Sequence, residues 1–69
     1  IPRFVKLRGF DTKHLKPVGE VILDCSDSFQ TIERYCQSAT NFRYTEIHTS
    51  ATVINVSETA SQIYDLIHS

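Results

Sequence analysis

Sixty-nine residues with a net charge of −1, 41% apolar and 22% charged, make one small folded domain and exclude a disordered tail. No apolar run approaches the ~20 residues that cross a bilayer as a helix, and no basic segment followed by an apolar one marks a signal peptide. The chain starts at Ile1 and not at Met; it reads as a single domain, residues 1–69, cut from something longer, and its compartment is unreadable.

Residues 3–8, Arg-Phe-Val-Lys-Leu-Arg, alternate apolar and polar with period two and predict a strand. Gly9 to Gly19, with Pro17 inside, reads as a long loop. Residues 20–25 are β-rich and predict the second strand. Ser26, Asp27 and Ser28 carry side-chain oxygens that can accept from the free N–H groups of a first helical turn. Phe29, Ile32, Cys36 and Ala39 follow at spacings of three, four and three, an amphipathic helical stripe that Thr40 and Asn41 would end. Residues 42–47 and 52–56 predict a hairpin joined at His48–Ala51. Ser57, Glu58 and Thr59 then cap a second helix with Ala60, Ile63 and Ile67 on one stripe.

The element order is therefore ββαββα, an α+β domain: a four-stranded, mainly antiparallel sheet with both helices on one face. Its expected core is Val5, Leu7, Leu23, Cys25, Phe29, Ile32, Cys36, Ile54, Val56, Ile63 and Ile67. Residues 22–38 lie over 53–69 at an offset of 31, with Ser26/Ser57, Ile32/Ile63 and Ser38/Ser69 identical. An internal ββα duplication and the shared physics of two strand–cap–helix units both account for that match.

Catalysis and cofactors find no footing. Cys25 and Cys36 align with Val56 and Ile67 in the repeat and read as core thiols, not a disulfide. His14, His48 and His68 match no metal spacing, so neither a metal nor another cofactor is expected. No nucleophile–base set or phosphate loop appears, and the acids are scattered over caps and exposed faces; the chain is not expected to be an enzyme. Asn55-Val56-Ser57 is formally a glycosylation sequon, set where a strand must turn into a helix.

Two surfaces remain. Residues 1–17 carry Arg3, Lys6, Arg8, Lys13 and Lys16 against Asp11 alone, a charge of +4 against −5 in the rest. With Phe4 and Phe10 interleaved, this strand and its loop suit an anion or a single-stranded nucleic acid. The other surface is the sheet face that the helices leave open. There Phe4, Ile22 and Val53 fall by alternation, where a monomer would place polar residues. The favoured expectation is a non-catalytic protein interaction or assembly module, self-associating or docking on a protein through that face or a sheet edge. The anion- or nucleic-acid-binding module is the alternative, and no insertion into a membrane is expected.

The stretch from Glu20 to Cys36, followed by the hairpin 42–56 and the helix 59–67, resembles the small periplasmic domains of secretins and related ring-building domains of secretion systems. The resemblance implies side-by-side packing of protomers without catalysis, and it carries no site residues. Residues 52–67 are also similar to the second strand and helix of ubiquitin-like Ras-association domains, although the three strands that should follow are absent from the sequence.

Overall fold

The computed structural model describes residues 2–36 and 41–69. Five strands and one helix follow in order: β1 (Phe4–Asp11), β2 (Lys16–Asp24), β3 (Phe29–Tyr35), β4 (Phe42–Thr49), β5 (Val53–Val56) and α1 (Ala60–Ile67). The strands form one antiparallel sheet in the order β2-β1-β5-β4-β3. The expected four-stranded sheet with two helices is thus replaced by five strands and one helix, βββββα.

The error lies in residues 29–35. Phe-Gln-Thr-Ile-Glu-Arg-Tyr alternates half-buried and exposed residues and pairs along its length with β4, from Phe29↔Thr49 to Tyr35↔Phe42. Its aromatic and β-branched residues fit a pleated surface, and this non-local pairing outweighs the helical spacing. The cap chemistry upstream serves a turn instead: Asp24 Oδ1 accepts from the backbone N–H and the hydroxyl of Ser26, at 3.0 and 2.7 Å. The internal duplication fails with the first helix, because residues 22–35 are strand–turn–strand where 53–67 are strand–cap–helix. Ala39 and Thr40, the expected end of that helix, lie outside the described residues.

The long loop is also mostly strand. β1 and β2 form a hairpin whose turn is residues 12–15, held by Asp11 Oδ1 accepting from the N–H groups of Lys13 (2.9 Å) and His14 (3.3 Å). The two glycines read as loop punctuation belong to a bulge, where the β1–β2 register shifts between Arg8 and Phe10. Val18's carbonyl oxygen lies too close to Gly9 to admit a Cβ, and Gly19 adopts φ +62°.

The second half forms largely as read. Thr49 closes the β4–β5 turn, its N–H and hydroxyl both donating to Thr52's carbonyl at 2.9 Å. Thr59 caps α1 reciprocally with Gln62: its hydroxyl accepts from the Gln62 N–H at 3.1 Å, and its own N–H donates to Gln62 Oε1 at 2.9 Å. Ile63 is the buried residue of the helix.

The core comprises Val5, Leu7, Leu23, Ile47, Val56 and Ile63, with Val21, Cys25, Phe29, Ile54 and Ile67 packed around it. Two expected members move. Ile32 pairs with Glu46 on the other face and is 38% exposed. Cys36 follows a strand instead of sitting within a helix, and it stays outside the buried cluster. Ile47 and Thr45 are buried in their stead. Cys25 and Cys36 are not joined in a disulfide, both are of intermediate burial, and burial pushes the Cys25 thiol pKa up.

Candidate interaction surface

α1 sits on the face that holds the core, so alternation assigns the rest of each strand to an open face. β1 contributes Phe4, Lys6, Arg8 and Phe10; β2, Glu20, Ile22 and Asp24; β5, Val53 and Asn55; β4, Tyr44, Glu46 and His48; β3, Gln30, Ile32 and Arg34. Phe4, Ile22 and Val53 are 55%, 56% and 50% exposed. They do not make one patch. Ile22 pairs with Lys6, one step from Phe4, whereas the Gly9↔Val56 pair sets Val53 beyond the far end of β1. At ~3.3 Å per residue, Val53 is about 20–25 Å along the strand direction from the other two.

The basic residues are not a continuous surface either. Arg3 bridges Asp24 at 3.4 Å and rests over the Phe4 ring; Lys6 reaches Glu20 at 3.9 Å. The hairpin therefore brings β2's acids against β1's cations, which a count ending at residue 17 does not register. Arg8 borders a cleft of about 600 Å³ with Ser57, Glu58, Gln62, Asp65 and Leu66. Lys13 and Lys16 stand at the exposed hairpin end with no ion-pair partner among the described residues. Leu15 and Val18, both exposed, share that end; reading it as loop hid them.

The polar groups that look reactive are engaged in structure. Both oxygens of Glu58 accept from the Arg8 N–H, at 3.0 and 2.9 Å, across the bulge. Ser57's hydroxyl donates to Gly9's carbonyl at 3.1 Å, and buried Thr45 donates to Glu58's carbonyl at 2.7 Å. These bonds tie β1 and β4 to the start of α1. On the open face Glu46 accepts from Arg34 Nε at 3.0 Å and Nη2 at 3.2 Å, and its Oε1 lies 2.9 Å from His48 Nε2. Beside them Phe10 stacks on Tyr44 with ring centroids 5.1 Å apart. Among the described residues no group of His, Cys, Asp and Glu is placed to hold a metal ion, and no helix is long and apolar enough to cross a membrane.

Two of these carboxylates carry a pH prediction. Bonds from Arg34 and then His48 hold the Glu46 pKa down to about 2, and bonds from Ser26 and Arg3 hold Asp24 down to about 2. In the unfolded chain both take up protons near the ordinary value of about 4. Between those values the unfolded state binds more protons, so stability from both groups is present above pH ~4 and lost as pH falls toward ~2. Urea midpoints should drop over that window and drop less in Glu46→Gln; an unchanged slope would show that the Arg34–Glu46–His48 network does not contribute.

On the side of α1, Cys25, Phe29, Thr31, Ile63, Tyr64 and Ile67 line a largely apolar groove of about 490 Å³ between the helix and β3. Sequence reasoning missed it because it placed a helix where β3 lies. Comparison with models of known families, with curated proteins and with solved structures gives no match to this chain.

Proposed function

We propose that this domain is a non-catalytic protein interaction or assembly module that makes contact through its sheet. One observation carries the reading: among the described residues, nine large apolar side chains are exposed against six buried in the core. A small domain already short of core gains most by covering such residues with another protein. Apolar area removed from water contributes about 25 cal/mol per Å², so a few hundred Å² is large beside the stability of a chain of this length.

Static light scattering over a concentration series tests this. The expected mass rises above that of the monomer and keeps rising at high salt, since apolar contact is not screened. A monomer throughout would contradict self-assembly. The anion-binding alternative rests on unpaired Lys13 and Lys16 at the hairpin end; it requires affinity for single-stranded nucleic acid that weakens steeply with salt.

A further inference from the structure

We infer that the first contact in assembly is a two-fold pairing of β3 with β3 of a second copy of this chain, giving a continuous ten-stranded sheet. The inference rests on the assembly reading above and names its partner and its edge. β2 and β3 are the two edges of the sheet. β2 carries the features that discourage strand addition: Pro17 has no N–H to give, and the bulge beside Gly19 bends the strand. β3 carries no proline, and the register shift in its own ladder, between Arg34 and Tyr35, puts the extra residue in β4 and not in β3. Beyond its pairing with β4, no backbone hydrogen bond to residues 29–35 is found among the described residues.

The sequence of β3 is self-complementary in one register. With the two-fold axis through Ile32 and both helices on the same side, Ile32 faces Ile32 of the second copy and Gln30 faces Arg34. On the helix side Thr31 faces Glu33 and Phe29 faces Tyr35. No like charges oppose each other, and cross-strand pairs of these kinds stabilise antiparallel sheets. Glu46 occupies two of Arg34's five N–H donors, leaving others for Gln30. Moving the axis to Glu33 sets that carboxylate against itself. Moving it to Thr31 sets Phe29 against Glu33 and Ile32 against Gln30. The exposed Ile32, misplaced as core by its spacing, gains a partner in the favoured register. The apolar groove beside β3, floored by Phe29 and Ile63, lies against the junction and is covered by the second copy.

Cysteine cross-linking reads this register. Residues directly opposite in an antiparallel pair have Cα atoms about 4.5–5.5 Å apart, within disulfide reach. Ile32→Cys should therefore convert to a covalent dimer under mild oxidation. Gln30→Cys should stay monomeric on a non-reducing gel, because each position 30 lies four residues from its copy, roughly 13 Å along the strand. The parent protein, with Cys25 and Cys36, is the blank. Ile32→Lys should halve the scattering mass with its circular dichroism unchanged. Equal cross-linking at both positions, or none at position 32, overturns the proposal. Mass above the monomer that persists in Ile32→Lys overturns the β3 edge but leaves the assembly reading standing, for instance through an unrelated extended segment or the hairpin face. A parent protein that is monomeric at every concentration overturns both.

Discussion

Replacing Ile63 with alanine is expected to release α1 from the sheet and to cost about 2–5 kcal/mol, the range for truncating a fully buried Ile or Leu. The side chain is 1% exposed, is the buried residue of the helix, and belongs to the core cluster with Val5, Leu7, Leu23, Ile47 and Val56. An eight-residue helix has no independent stability, because isolated helices below ~12–15 residues are marginal in water. At roughly 0.05–0.15 kcal/mol per residue, the whole domain holds only ~3–10 kcal/mol. Helical dichroism should fall away entirely and the urea midpoint should collapse. Tyr64→Ala, on the exposed side of the same helix, should change neither greatly. An Ile63→Ala domain that keeps its helical signal would show that the capping box alone holds α1.

Adding a single methyl group at Gly9 is expected to be nearly as damaging. A Cβ there would be driven into the Val18 carbonyl oxygen, a backbone atom of the bulge that cannot rotate away, and would also touch Val21. Overpacking of this kind costs about 1–3 kcal/mol or more. The position also provides the one registered pair between β1 and β5, Gly9↔Val56, through which the hairpin joins the β3–β4–β5 meander. Gly9→Ala should therefore lower the urea midpoint and speed amide exchange in β1 and β2 together. Gly19→Asn is the control: open space surrounds that position, and asparagine tolerates its φ of +62°. Equal losses at both glycines would mean that backbone flexibility, and not the close approach of Val18, is what Gly9 supplies.

The elements with one dominant local signal were legible. β1 alternates cleanly, β4 and β5 flank a short polar turn, and the run Ser57, Glu58 and Thr59 marks the start of α1. Residues 29–35 were not, because Phe29, Ile32 and Cys36 satisfy helical spacing while the alternation of Phe29, Thr31 and Glu33 is weakly apolar. What decides between them is a partner strand beginning at Phe42, beyond any local window. The apparent repeat strengthened the error by carrying α1's pattern back onto β3. Glycine was misread for a related reason: a bulge and a loop use the same residue, and the close approach of Val18 to Gly9 exists only once the hairpin has formed. The open-face positions Phe4 and Ile22 followed from alternation alone. Their separation from Val53, and the ion pairs that occupy Arg3 and Lys6, needed the register.

The proposed function puts contact with another protein on the sheet and not on the helix. Amide ¹H–¹⁵N spectra recorded along a dilution series test it most directly. Concentration-dependent shifts are expected along β3 and around exposed open-face residues, with Asp65, on the side of α1 away from the groove beside β3, unmoved. Shifts centred on α1, or spectra that do not change with concentration while the mass stays that of a monomer, would contradict it.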